Sequence, residues 1–134
     1  LRYENIRSAR AEEGLVRLLL LDPALLSDMK GITGAEFSSP VLGKAFDLLA
    51  ERAREDRPVH LAALAGDLTG EEMNHLAQVA ARPESVAQAG QSIPDYISLI
   101  RGEALLRRGG GEDAQLLAVQ KRLQEKRAYL EEKP

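Results

Sequence analysis

The chain has 134 residues, a length that suits one ordinary domain or a domain with a small appendage. Its formal net charge is -3 and it contains no cysteine, so the whole-chain charge indicates no affinity for nucleic acid or acidic membranes, and disulfide and thiolate chemistry are excluded. Aromatic residues make up only 4% and tryptophan is absent, so the core must consist of aliphatic side chains, which favours packed helices over a β-sandwich.

The first predicted helix runs from Glu4 to Leu21, where apolar residues recur at helical spacing. Its apolar stripe contains Ile6, Leu15, Leu18 and Leu19. The pair Asp22-Pro23 is typical of an N-cap followed by proline at the first helical position, and it predicts a short helix that ends near Lys30. The apolar run at residues 18–21 is far too short to span a bilayer, so we expect no membrane insertion.

Two further helix starts are predicted before residue 58. Thr33 and Glu36 have the spacing of a capping box. Ser39-Pro40 repeats the cap-and-proline pattern and begins the segment VLGKAFDLLAERAREDR, which Pro58 ends. One apolar face of this predicted helix contains Leu42, Ala45, Phe46 and Leu49.

The next segments are also helical. The stretch VHLAALAGDL predicts a short helix that ends near Gly66. Thr69 and Glu72 form a second capping-box pattern at the start of GEEMNHLAQVAA, and Arg82-Pro83 ends that helix. Its inward positions are predicted to be Met73, Leu76, Val79 and Ala80.

Two long helices are predicted at the end of the chain. The first spans Ser92 to Arg108, and the second runs from Glu112 to about Glu132. The inward positions of the first are predicted to be Ile93, Tyr96, Ile97, Ile100 and Ala104. The predicted fold is therefore all-α, with a multi-helix bundle over residues 1–91 followed by a C-terminal helical hairpin over residues 92–134.

Three glycines, Gly109, Gly110 and Gly111, separate these two helices. A phosphate-binding loop would follow a strand and would place a lysine and a hydroxyl, or further glycines, at set positions. The stretch RRGGGEDAQ has neither pattern, and its acidic pair suits the start of a helix better than a phosphate site. We therefore predict a hinge, which would also permit a domain-swapped or weak homodimer.

No catalytic, metal or cofactor site is predicted. His60 and His75 lack metal-ligand spacing and are predicted to be surface or boundary residues. The acidic pairs Glu12-Glu13, Glu71-Glu72 and Glu131-Glu132 are predicted to be solvated or helix-capping carboxylates. A small helical enzyme that uses Glu and His is an alternative, and it requires two titratable groups that meet in a pocket with a shifted pKa.

Basic and apolar residues recur along the two last helices. Acidic residues interleave with the basic ones, so we expect a mixed-charge surface with little direct binding of nucleic acid. A two-helix hairpin leaves part of each apolar face uncovered, and the bundle, a second copy or another protein must cover the remainder.

Several stretches resemble one known domain. AEEGLVRLLLLDPALL is similar to its first helix and Asp-Pro turn, and AEFSSPVLGKAFDLLAE to the segment in which a Phe and a Ser/Pro cap precede an apolar helix. RPVHLAALAGDLTGEEMNHLAQVA matches in layout, and SIPDYISLIRGEALLRR with LLAVQKRLQEKRAY resembles the closing helices. Together they resemble the C-terminal helicase-binding domain of bacterial DNA primase, the DnaG family.

This resemblance implies a non-catalytic module of a longer, cytoplasmic protein that acts at the replication fork in the nucleoid. The module would bind the N-terminal domains of the hexameric replicative helicase, recruit primase to the fork and modulate helicase activity. Single-strand-binding protein is implied as a further partner. The hairpin would be the main contact, with the partner-binding residues Arg107, Arg108, Leu116, Leu117, Gln120, Lys121, Leu123, Gln124, Arg127 and Leu130.

A second family has a similar layout. RPVHLAALAGDL also resembles a turn and helix in the N-terminal domain of the DnaB-type replicative helicase, a module that self-associates and binds primase. The opening AEEGLVRLLL departs from the usual start of that domain, and LQEKRAYLEEKP is typical of a chain terminus rather than of a linker to an ATPase. These two differences favour the primase domain.

Overall fold

The fold is that of a computed structural model, which describes residues 2–108. Four α-helices lie in this range, namely α1 (Ile6–Leu21), α2 (Pro40–Arg54), α3 (Gly70–Ala81) and α4 (Ala89–Arg108). Four short 3-10 turns connect them, at Pro23–Asp28, Gly34–Glu36, Leu61–Leu64 and Val86–Gln88. Residues 2–108 contain no strand, so the all-α prediction is confirmed for them.

The helix starts form where local side-chain chemistry predicts them. The Asp22 carboxylate accepts the Ala24 N–H at 3.2 Å, and the Ser39 hydroxyl accepts the Leu42 N–H at 3.3 Å, each with proline in the first turn of the helix that follows. Each side chain thereby satisfies one of the backbone donors that a helix start leaves without a partner.

The capping box at Thr69 is complete. The Glu72 N–H donates to the Thr69 hydroxyl at 3.1 Å, and the Thr69 N–H donates to the Glu72 carboxylate at 2.8 Å. At the earlier position the Thr33 N–H donates to the Glu36 carboxylate at 2.8 Å. These reciprocal contacts confirm both predicted starts.

The core is aliphatic and is formed by all four helices. The predicted face of α2 is fully buried, and the rings of Phe37 and Phe46 pack with their centroids 5.1 Å apart. The largest fully buried side chains are Phe46, Leu15, Leu18, Leu19, Met29, Ile32, Leu42, Leu49, Leu64, Leu76, Ile93 and Ile100.

Two apolar positions of the predicted helices are exposed, and for one of them, Ala80, the inward prediction is wrong. Ile6 is 59% exposed because α1 begins there, so its side chain extends beyond the packed part of the helix. Ala80 is exposed because α3 buries only a narrow face, which contains Leu76 and Val79.

The chain divides into two compact units, residues 1–101 and residues 102–134. Helix α4 begins at Ala89, before the predicted start at Ser92, and Pro94 lies inside it. The predicted boundary between residues 91 and 92 therefore falls within α4. The predicted hinge at residues 109–111 and the predicted helix at residues 112–132 lie outside the described residues.

No helix within residues 2–108 is both long enough and apolar enough to cross a membrane.

Candidate functional site: an arginine-lined groove beside helix α1

A cluster of four polar residues, here called the Tyr3 cluster, joins the start of the chain to α1 and α3. The Tyr3 hydroxyl lies 2.5 Å from a Glu13 oxygen and 2.6 Å from Nε2 of His75. The other Glu13 oxygen accepts a hydrogen bond from Arg82 at 3.2 Å and lies 3.7 Å from the Arg17 guanidinium. The cluster consists of Tyr3, Glu13, His75 and Arg82.

The proton arrangement in this cluster follows from its geometry. A carboxylate can only accept, so the Tyr3 hydroxyl donates to Glu13 and its own lone pair accepts the N–H of His75. Burial, followed by the hydrogen bond to Glu13, raises the pKa of Tyr3 above its ordinary value. Burial lowers the pKa of His75. The phenol and the imidazole are therefore both favoured in their neutral forms.

The prediction that Glu12 and Glu13 are solvated or helix-capping is wrong. Both residues are buried, with relative exposures of 0% for Glu12 and 2% for Glu13. Adjacent helix residues point about 100° apart, so the two carboxylates bind different sets of donors. Such burial requires multiple hydrogen bonds because a bare buried charge is very unfavourable.

Glu12 attaches the turn before α2 to α1. One of its oxygens accepts from the Ser8 hydroxyl and from the backbone N–H and hydroxyl of Ser38. Its other oxygen accepts the Ser39 N–H at 3.0 Å. Glu12 is therefore a structural anchor with both oxygens occupied.

Two neighbouring cavities lie beside α1. One, of about 580 Å³, is lined by Arg2, Tyr3, Ile6, Arg10, Glu13, His75, Gln78 and Arg82. The other, of about 420 Å³, is lined by Arg7, Arg10, Ala11, Glu13, Arg17, Arg82, Tyr96 and Leu99. They share Arg10, Glu13 and Arg82, and we name them together the arginine groove.

The arginines of this groove differ in how they are paired. Arg17 is largely buried and lies 3.1 Å from Glu84, whose other oxygen accepts the Tyr96 hydroxyl at 3.0 Å. In contrast, three exposed arginines form no hydrogen bond or ion pair with any residue in the range 2–108. They are Arg2, Arg7 and Arg10. Their guanidinium groups are available to an anionic ligand.

The condition set for the enzyme alternative is met at one histidine, because His75 and Tyr3, whose pKa values are both shifted, line the same cavity. His75 and two other titratable groups meet in a cavity, whereas the exposed His60 lies outside both cavities. Glu13 already binds Tyr3, Arg82 and Arg17, so the cluster offers no unoccupied carboxylate base. Within residues 2–108, no group of three or more histidine and acidic side chains could hold a metal ion.

The predicted partner-binding residues lie mostly outside the described range. Arg107 and Arg108 are exposed at the end of α4, and Arg107 has an interaction partner. The other predicted partner-binding residues lie beyond residue 108. The arginine groove was not predicted, although Arg7, Arg10 and Arg17 are spaced so that they lie on one side of a helix.

Comparison of the chain with protein-family models, with curated proteins and with solved structures found no match. The functional proposal therefore depends on the residues and elements of this chain.

Proposed function

We propose that this chain is the helicase-binding module of a bacterial primase. In this role it is non-catalytic, binds the N-terminal domains of the hexameric replicative helicase, brings primase to the replication fork and modulates helicase activity. The observation behind the proposal is the order of the capped elements, because the quoted stretches within residues 2–108 form helices and turns in the order that the resemblance implies.

Four of the five quoted stretches lie in the part of the chain that the structure describes. AEEGLVRLLLLDPALL forms most of α1 and of the turn capped by Asp22, and AEFSSPVLGKAFDLLAE forms most of α2 with its Ser39 cap. The next stretch forms a 3-10 turn and α3 with its Thr69 cap, and α4 follows. A bundle unit and a separate C-terminal unit are also what the resemblance implies, and the chain has compact units at residues 1–101 and 102–134.

The proposed contact is the apolar and basic surface of the C-terminal unit, with Leu123 and Leu130 as apolar anchors. Amphipathic helices bind partner helices through such anchors, and a few buried residues supply most of the binding energy. Introducing a carboxylate at an anchor places an unpaired charge in the interface.

The test is a calorimetric titration of the chain with the N-terminal region of the cognate helicase. We expect Leu123→Glu and Leu130→Glu each to weaken binding by about thirtyfold or more, which corresponds to about 2 kcal/mol. Leu21→Glu is the matched control, because Leu21 is an exposed leucine at the end of α1 and is 57% accessible. The Leu21→Glu variant should bind the helicase region with the affinity of the wild type.

The result that contradicts the proposal is an absence of binding by the wild-type chain, or equal affinity of both folded variants. A stable dimer or trimer in light scattering would instead favour the helicase N-terminal domain. The same titration with single-strand-binding protein tests the second partner that the resemblance implies.

A further inference from the structure

The arginine groove has a local excess of positive charge in a chain whose net charge is -3. Five arginines line it, whereas its one lining carboxylate, Glu13, is already bound to arginine, as is the neighbouring Glu84. Glu13 lies 3.2 Å from Arg82 and 3.7 Å from Arg17, so its negative charge is offset by these paired arginines. An anionic ligand therefore meets arginines whose charge the groove itself does not neutralise.

The spacing of the arginines suits an extended ligand. The exposed Arg7 and Arg10 lie one helical turn apart on one side of α1, a rise of about 4.5 Å, whereas Arg17 further along α1 is largely buried and bound to Glu84. A stacked nucleic-acid strand advances about 3.4 Å per nucleotide, so Arg7 and Arg10 suit two adjacent phosphates. Arg2 and Arg82 also line the groove.

The hydrogen-bonding groups distinguish between two classes of polyanion. Guanidinium groups only donate, and the Glu13 carboxylate is occupied by Tyr3, Arg82 and Arg17. A peptide strand brings a backbone N–H donor with almost every residue, and the groove has few unoccupied acceptors for them. The phosphates of a nucleic-acid strand present acceptor oxygens only, and the arginine fork matches phosphate oxygens bidentately.

We propose that the arginine groove binds the phosphate backbone of single-stranded nucleic acid. Recognition is through phosphates, so affinity depends weakly on base sequence and strongly on salt. The exposed side chain of Ile6 and that of Leu99 offer apolar contacts to the sugars. The proposal revises, for this one side of the molecule, the expectation of little nucleic-acid binding, and it is independent of helicase binding because it uses other residues.

The test is fluorescence anisotropy of a labelled single-stranded oligonucleotide of about 12 nucleotides, titrated with the full chain between about 50 and about 200 mM salt. The test variant is Arg7→Glu/Arg10→Glu, in which both side chains are exposed and unpaired within residues 2–108, so the fold is preserved. We expect its affinity to fall by at least about tenfold at low salt. The slope of log K against log salt should become shallower by about 1.4 because two phosphate contacts are lost.

The matched control is Lys44→Glu/Arg54→Glu, which changes the net charge equally on the exposed side of α2. It should retain the salt slope of the wild type. The proposal is overturned if the wild-type chain shows no salt-dependent binding, or if the groove variant binds as tightly as the wild type. It is also overturned if a polyglutamate peptide of equal charge displaces the oligonucleotide from the wild type at lower concentration, because the groove would then prefer an acidic protein partner.

Discussion

Two adjacent carboxylates, Glu12 and Glu13, connect three parts of the molecule through side-chain contacts. Glu12 accepts from the segment before α2, and Glu13 accepts from Tyr3 and Arg82. Within the described residues no buried side-chain polar atom lacks a hydrogen-bond partner. Buried charges of this kind are favourable only while their donors remain in place.

Glu12→Gln tests the anchor before α2. The Gln side chain has an NH₂ group in place of one carboxylate oxygen, and this NH₂ group would face the N–H and O–H donors that Glu12 binds. We therefore expect the free energy of unfolding to fall by about 2–3 kcal/mol. Chemical denaturation measures the change, and Glu51→Gln is the control because Glu51 is exposed on α2. A loss for Glu12→Gln no larger than the control's would show that the hydrogen bonds to Ser38 and Ser39 contribute little.

The Tyr3 cluster predicts an acid-side dependence of stability. Burial lowers the pKa of His75 in the folded chain below its ordinary value of 6.5. Below about pH 6.5 the unfolded chain therefore takes up a proton that the folded chain resists, so stability falls with falling pH. Above that pH His75 is neutral in both states and does not change the free energy of unfolding with pH. His75→Gln should flatten this part of the curve of unfolding free energy against pH, and an unchanged slope would contradict the assignment.

The same cluster predicts an alkaline dependence of opposite sign. The pKa of Tyr3 is raised above 10.0 by burial and by Glu13, so above about pH 10 the unfolded chain loses its proton first and stability falls as pH rises. Tyr3→Phe removes this contribution. In the Tyr3→Phe variant part of the alkaline dependence of stability remains, because the pKa of Tyr96 is also raised, by burial and by Glu84. Denaturation of the two proteins between about pH 9 and about pH 11 measures the difference in the slope of unfolding free energy against pH, and this difference in slope should be absent near pH 8.

At the level of elements, the turn at Gly34 packs directly against the backbone of α2. A Cβ atom built on Gly43 would lie 2.5 Å from the Gly34 carbonyl oxygen, and one built on Gly34 would lie 2.1 Å from the Gly43 carbonyl oxygen. The Gly34 N–H also donates to the Asp47 carboxylate at 2.7 Å. Neither backbone can move aside as a flexible side chain would, so glycine is required at both positions.

Gly43→Ala should reduce the free energy of unfolding by about 1–3 kcal/mol, because the added methyl group forces α2 and the turn apart. Gly90→Ala is the matched control within α4, since a Cβ there has no neighbour within 4 Å. That change should be neutral or stabilising by up to about 1 kcal/mol, owing to the higher helix propensity of alanine. Equal unfolding midpoints for the two variants would contradict the close approach.

For the whole molecule, the buried core and the proposed partner surface lie in different parts of the chain. The core cluster extends from Ala9 to Ile100, and the proposed helicase anchors lie beyond residue 108. A fragment of residues 1–108 should therefore unfold in one cooperative transition. In fluorescence anisotropy the fragment should bind the oligonucleotide as tightly as the full chain does. In calorimetry it should show no binding to the helicase N-terminal region.

The outcomes separate the two proposals. Loss of oligonucleotide binding by a folded fragment would contradict the groove assignment and leave the helicase proposal intact. Helicase binding retained by the fragment would move that interface into the bundle.

The sequence alone determined the helical class and most helix starts, because these depend on contacts within about four residues. The caps at Asp22, Ser39 and Thr69 are examples, since each uses a backbone N–H two or three positions away. The buried face of α2 was equally predictable, because periodic apolar residues lie on one side of a helix wherever it packs.

Only the tertiary structure decided the burial of Glu12 and Glu13 and the existence of the arginine groove. Their partners come from distant positions, such as Ser38 for Glu12 and Arg82 for Glu13. No local pattern marks those pairings, since they depend on how α1 packs against α3 and the segment before α2. A net charge of -3 likewise conceals a basic groove, because folding gathers exposed arginines on one side and pairs the nearby carboxylates with other arginines.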